Sequence, residues 1–255
     1  MKIYKRKKNR VLRLIDLFLS LGALAFSKKK WGPFLDCFNE TKFDYSFRIS
    51  WSQSGEDLAI ENILNSAESS KFYLDVGAHH PSRFSVTRLL YQSGWRGINI
   101  DANSDLEKDF KLNRPRDIFL NFAVGNLEAY HLYIGDELAV STTNLDWKSK
   151  FESQGMAYHK VLDVKGITLR KVIEMDLCPD RIALVNIDIE GADYQALVSA
   201  QLPDLSKDKW PLFFLIESQV PLSEAMKLDS VQYLLSLGYE IWLLLPFATL
   251  LKAPE

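Results

Sequence analysis

The sequence predicts an open α/β fold on a mostly parallel sheet, and three observations predict it. Short apolar runs at residues 72–76, 182–187 and 212–216 each break at a glycine or an acid. Runs of that length bounded by a turn signal read as buried parallel strands. Stretches with helical spacing fall between the runs, so strand and helix alternate. The 255 residues, 47% hydrophobic and 25% charged, suffice for one such domain with an extension.

The chain opens with a basic head. Residues 1–30 carry ten Lys or Arg and one acid, Asp16, a balance of +9 in a chain of net charge −2. The remainder is correspondingly acidic. That asymmetry argues for a local anionic partner and against general nucleic-acid binding. Residues 11–26 are mostly apolar but shorter than the roughly 20 residues a bilayer span needs. Arg13, Asp16, Ser20 and Ser27 would form one polar stripe near helical spacing, with lysines at both ends. Three readings stay open: an interfacial helix on an anionic leaflet, a helix packed on the domain, and a signal or anchor segment. The third would need a better cleavage site than residues 24–28 provide. Residues 31–47 are aromatic and irregular, a linker that docks on the body. Residues 1–48 are therefore expected as a basic amphipathic extension and linker, and residues 49–255 as the body. Cys37 and Cys178 lack metal spacing and imply structural thiols in a reducing compartment. A cytoplasmic protein, able to touch the inner face of a membrane through residues 1–30, is the expected setting.

Within the body, residues 58–64 suit an amphipathic helix, with Glu56 and Asp57 in its first turn where the dipole favours acids. The run 71–76 is a strand breaking at Gly77. A helix should follow, N-capped by Ser82 or Ser85 and ended by Gly94. Ile98 and Ile100 mark a second strand ending in Asp101, before a helix over 106–112. Residues 118–125 read as a third strand and 129–134 as a fourth. The polar excursion 135–156 is long for a connection, so it is a functional loop or disordered; we read it as a substrate lid. A strand at 161–164 precedes a helix at 169–174 capped by Thr168. The apolar run from Ile182 leads into acids, Gly191 and a helix at 194–199. Residues 212–218 form a buried strand ending in an acid. A helix at 231–237 closed by Gly238 leads to a terminal antiparallel hairpin, 240–245 with 248–251.

The chemistry gathers at two strand ends. A strand that turns at Gly77 into a loop and helix places backbone N–H groups at the carboxyl edge of the sheet, where such folds bind nucleotide-like ligands. A dinucleotide site needs three glycines and a P-loop needs a Gly-Lys-Ser/Thr end; neither is present. The turn suits a nucleoside ligand without phosphates, and we expect it to hold the methionine end of S-adenosylmethionine. Asp101 stands somewhat over the roughly 20 residues expected between such a loop and a ribose-binding acid. It is read as that acid, or as the N-cap of the next helix. The end of the third strand, with Asn121 and Gly125, would lie near the adenine.

Asp188 and Glu190 are two apart and would share a side of a strand. They could hold a substrate hydroxyl, act as a base or bind a hard cation; as an alternative they cap the following helix. Asp188 is the first candidate base and His79 the second, its ordinary pKa suiting proton transfer near neutrality. A hydrogen-bonded turn residue is the other reading of His79. Two rival classes remain, a nucleotide-cofactor oxidoreductase and a membrane-attached scaffold with a non-catalytic body.

Five motifs follow in a fixed order: residues 52–57 (Ser-Gln-Ser-Gly-Glu-Asp), 74–81 (Leu-Asp-Val-Gly-Ala-His-His-Pro), 99–103 (Asn-Ile-Asp-Ala-Asn), 121–125 (Asn-Phe-Ala-Val-Gly) and 186–193 (Asn-Ile-Asp-Ile-Glu-Gly-Ala-Asp). The ordered set resembles the FkbM family of S-adenosylmethionine-dependent methyltransferases over roughly residues 49–239. The resemblance implies a class I, Rossmann-like three-layer sandwich: a mostly parallel seven-stranded sheet with one antiparallel strand, here with an N-terminal helical extension. It implies methyl transfer to an oxygen of a sugar in a glycan or of a secondary metabolite, as in polysaccharide biosynthesis. It assigns the cofactor to Asp75, Gly77 and Ala78, to Asp101 and Ala102, to Val124 and Gly125, and to Gln53 and Glu56. Asp188 and Glu190 match the family's Asp-Val-Glu-Gly and stand as catalytic residues with His79; a divalent metal, if any, would fall to Asp188 and Glu190. Many members have Asn after Gly-Ala and a second Gly further on; His79, His80 and Pro81 stand there in this chain.

Overall fold

A computed structural model of the chain describes residues 48–66, 70–218 and 220–254. The readings made on the basic segment, the aromatic linker and Cys37 lie outside the described residues. No helix among the described residues is long and apolar enough to cross a membrane.

The chain begins its described course with α1 (Glu56–Ser66), β1 (Phe72–Val76), α2 (Arg88–Gln92), β2 (Arg96–Asp101), α3 (Glu107–Asn113), β3 (Ile118–Asn121), β4 (Ala123–Val124) and β5 (Ala129–Gly135). It continues with α4 (Leu145–Ser153), β6 (Tyr158–Ile167), α5 (Leu169–Ile173), β7 (Leu184–Ile187) and α6 (Asp193–Val198). It closes with β8 (Phe213–Glu217), α7 (Leu222–Ala225), α8 (Asp229–Ser236), β9 (Glu240–Leu244) and β10 (Ala248–Lys252). A 7-stranded sheet runs β3-β2-β1-β7-β8-β10-β9, parallel except that β10 opposes both neighbours. This is the mostly parallel sheet with one antiparallel strand that the resemblance implied.

The strand order explains where a ligand can sit. From β1 the chain steps outward to β2 and β3, then returns to lay β7 on the other side of β1. The reversal opens a crevice beyond the carboxyl ends of β1 and β7. Both strands are buried along their whole length, as central parallel strands must be when helices cover both faces. Alternation sorts their side chains. Leu74, Val76, Val185 and Ile187 pack with Leu169, Val172, Leu197 and Leu234 from α5, α6 and α8. Tyr73, Leu184 and Leu215 pack with Ile60, Leu64 and Leu90 from α1 and α2.

Three expectations need correction, and one alternative falls away. The helix after β1 starts at Arg88 with Thr87 as N-cap, and neither Ser82 nor Ser85 caps it. Those residues belong to an irregular loop: His80 Nδ1 accepts from the backbone N–H groups of Ser82 and Arg83, and Ser85 Oγ accepts from Arg114. Gly94, at φ +90°, does end the helix. The run 118–125 is two strands, for β3 stays in the large sheet while β4 turns away to pair with β6. The excursion 135–156 is neither structureless nor disordered, since it carries a 3₁₀ turn at Leu138–Val140 and α4, N-capped by Asn144. Finally, β7 ends at Ile187, so Asp188 and Glu190 do not meet by strand alternation. A turn brings them round, with Glu190 at φ +52° and Gly191 at φ +92°.

Candidate active site

Two adjoining cavities, of about 80 and about 260 Å³, open at the crevice. Gly77, His79, Ala139, Asp188 and Glu190 line both. The smaller adds Asp101, Ala102 and Val124; the larger adds Gln53, Glu56, Asp75 and Ala78. Asp75 and Asp101 thus line neighbouring cavities that meet at the five shared residues. Of the sequence candidates, Asn121, which donates to the Asp101 and Ala102 carbonyls, and Gly125 line neither. The space beside the Gly125 Cα is filled by the Tyr130 hydroxyl, 2.1 Å from where a Cβ would sit, so this glycine serves packing.

Gly77 is the pivot between the halves. Its φ is +82°, and an added Cβ would lie 1.8 Å from the backbone oxygen of Asp188. Only glycine lets the two loops approach so closely. Its own N–H and that of Ala78 donate to the Ile100 carbonyl, which folds the turn over the end of β2.

The carboxylates of the first half are well supplied with donors. Asp101 Oδ2 accepts from His79 N at 2.9 Å and Oδ1 from Asn103 N at 2.8 Å. Burial still raises its carboxyl to about 6, against the pull of those two bonds. Each oxygen keeps a lone pair for a ligand hydroxyl. Asp75, 2% exposed, accepts from Thr87 Oγ1 at 2.5 Å and from Asn186 Nδ2 at 2.9 Å. Asn186 is its register partner on β7. Thr87 in turn accepts from Arg114 Nη2, which also donates to the Tyr73 hydroxyl. Arg114 Nε and Tyr73 both donate to Asp117 Oδ2 at 2.7 Å, and the Arg114 and Asp117 side chains are 0% and 1% exposed. A buried charge pair is tolerable only when hydrogen-bonded this completely.

His79 departs from expectation. Burial first, then the charges of Arg83 and His80, lower its imidazole to about 4. It is neutral near neutral pH rather than poised to titrate there. Its Nε2 is buried and has no partner among the described residues.

The second half crowds its acids. Asp188, Glu190 and Glu217 each direct a carboxylate oxygen to one place, within 4.8 Å of one another. Burial within the cleft and then the Glu217 carboxylate push Asp188 well up from the ordinary range. Because the Asp188 side chain is open to the cavity, the contact with Glu217 is the more durable cause once solvent enters. Burial, then Asp188 and Asp193, raise Glu190 to about 8, with Lys150 opposing. Carboxylates this close disfavour one another's ionised form.

The folded excursion roofs both cavities with Ala139, and adds Thr142 to one and Phe151 to the other. Thr142 Oγ1 donates to the Glu190 carbonyl at 2.8 Å and Asn144 Nδ2 to the Gly191 carbonyl at 2.7 Å. Trp147 lies on Gly191, where a Cβ would meet its ring at 1.3 Å. At the other end Glu137 grips Arg83 through two bonds of 2.9 and 2.8 Å.

Sequence reasoning missed Arg114, Asp117 and Thr87, which support Asp75 from beneath. Nothing in a linear pattern marks a charged residue for burial. It also left Glu217 unassigned, although an acid closing a third buried strand was a usable signal.

The family model described as "Methyltransferase FkbM domain" matches residues 75–241. Comparison with curated proteins finds no match. Among solved structures, the chain is similar to a TehB-like SAM-dependent methyltransferase from Corynebacterium glutamicum ATCC 13032 at 10% identity. That alignment covers 90% of this chain and 99% of the other at a TM-score of 0.40, too loose to bear on fold or function.

Proposed function

This chain belongs to the FkbM methyltransferase family, and from that premise we propose that it methylates a hydroxyl oxygen of a sugar, a glycan or a secondary metabolite with S-adenosylmethionine as donor. The observation that carries the reading is that the cavity of Asp75 and the cavity of Asp101 meet at the one-glycine turn of Gly77, which lines both. The residues fit such a donor. Asp101 offers its free lone pairs to the two ribose hydroxyls, and Ala102, Val124 and Phe122 offer an apolar berth for a base. His79 Nε2, buried without a partner, is available to the amino-acid end. When bound, the donor supplies a methyl on a sulfonium whose positive charge disperses as the methyl leaves.

The protein's work is then to orient, to exclude water and to take one proton. The roof made by Ala139, Thr142 and Phe151 supports a lid role. Asp188, at the junction of the cavities, is the proposed base. Glu217 beside it disfavours its ionised form, which strengthens its pull on the acceptor's proton. Residues 1–30, outside the described residues, are proposed to hold the enzyme on an anionic membrane face.

Calorimetry with S-adenosylmethionine tests the donor. Native protein should bind it, Asp101→Ala should bind it far more weakly, and no binding by folded native protein would sink the proposal. Release of S-adenosylhomocysteine over a panel of sugars, lipid-linked glycans and small metabolites tests the acceptor class. Deleting residues 1–30 should free the protein from anionic vesicles; continued binding would refute the membrane role.

A further inference from the structure

We infer that Asp188, Glu190 and Glu217 form a binding site for a hard divalent cation, with Glu56 in the same cavity to accept from a cation-bound water. The three come from two strand ends, β7 with its turn and β8, whose sequence positions are far apart. Their oxygens lie within 4.8 Å of one another. Oxygen ligands stand about 2.0–2.6 Å from Mg²⁺, Mn²⁺ or Ca²⁺, so opposed ligands are about 4–5 Å apart. Three converging oxygens on that scale fit a single coordination sphere. The cluster offers carboxylates and no thiol or imidazole, which selects hard cations over zinc or copper.

Glu56 is the independent observation. It is 3% exposed, lines the larger cavity with all three acids, and its Oε1 has no hydrogen-bond partner among the described residues. Its Oε2 is held by Ser54 N at 2.9 Å, which fixes the carboxylate in place. A buried carboxylate oxygen with no donor is costly. The lining of this cavity includes neither Lys nor Arg among the described residues to satisfy it. A cation with its water would meet that need and neutralise the crowding of the other three. Cation and proton compete for the same oxygens, so in the filled site Asp188 is a ligand rather than the free base proposed above.

The full chain, stripped with a chelator, is titrated with Mn²⁺ by electron paramagnetic resonance and with Ca²⁺ by calorimetry, without donor or acceptor. We expect saturable binding of a single ion, weakened about tenfold or more in Glu217→Gln and in Glu190→Gln. Glu107→Gln, on the exposed face of α3, should leave binding unaltered. Circular dichroism shows which variants fold. Absence of saturable binding by the native chain overturns the site, whatever the variants do. So does binding unaffected in a folded Glu217→Gln or Glu190→Gln. Donor affinity, measured on the same samples, separates the two claims. Donor binding without the cation removes this site alone, and cation binding without the donor removes only the methyl-donor reading.

Discussion

At the ends of β1 and β2 the acids are satisfied; at the ends of β7 and β8 they press on one another. Asp101 is held by two backbone N–H groups, and Asp75 by an asparagine and by a threonine that is itself braced by Arg114. Asp188, Glu190 and Glu217 instead bring carboxylate oxygens within 4.8 Å of one another. The contrast separates two uses of a carboxylate. One surrounded by fixed donors is a rigid positioning element, since moving it breaks several bonds at once. One surrounded by other acids holds unspent affinity for a proton, a hydroxyl or a cation.

Gly77 joins the halves, so replacing it should break both. In Gly77→Ala the new Cβ meets the Asp188 carbonyl at 1.8 Å on a backbone with φ +82°. We expect a loss of about 3 kcal/mol or more in urea unfolding, with donor binding abolished. A variant as stable as native protein would contradict the close packing. Asp188→Asn probes the crowded half alone. Turnover should fall by about 10²–10⁴-fold while donor affinity is retained; unchanged turnover removes Asp188 as the base.

Thr87→Val probes the satisfied half. It takes a donor from Asp75 and an acceptor from Arg114, and should cost about 1–3 kcal/mol, read by chemical denaturation. A neutral result would mean that Asp75 does not depend on its brace.

The last contrast is in pH. Glu190 sits at about 8 in the folded chain against an ordinary 4.5, and Asp101 at about 6 against 3.8. The folded state therefore holds protons that the unfolded chain releases. Stability from Glu190 is fully present below 4.5 and is lost as the pH rises through about 8. The urea midpoint of the metal-free protein should fall across that window, and Glu190→Gln should flatten the slope. A midpoint that climbs with pH would contradict the crowding.

Much of this was legible in the residues themselves. Strands β1, β2, β7 and β8 announced themselves as apolar runs stopped by glycine or acid, because central parallel strands are buried on both faces. Gly77 and Asp101 stood out for the same reason. The helix start at Arg88 was not legible, because Ser82, Ser85 and Thr87 are equally good caps on paper. Only the fold decides among them: the Ser82 N–H turns to His80, Ser85 Oγ to Arg114, and Thr87 stands before Arg88 without a side-chain capping bond. The length of the excursion 135–156 left a functional loop and a disordered segment both open; Asn144 caps α4, and Thr142 and Asn144 pin the segment to the Glu190 and Gly191 carbonyls.

The sequence by itself determined the alternation of strand and helix, the lone glycine at the turn after β1, and acids at successive strand ends. These are local properties: hydrophobic period, backbone permissiveness and residue type. Only the tertiary structure decided that Arg114 lies buried beneath Asp75, that His79 is neutral, and that Glu217 meets Asp188 and Glu190 at one point. Each of those depends on segments distant in the chain coming within a few ångströms, where burial and mutual charge, rather than residue identity, set what a side chain can do.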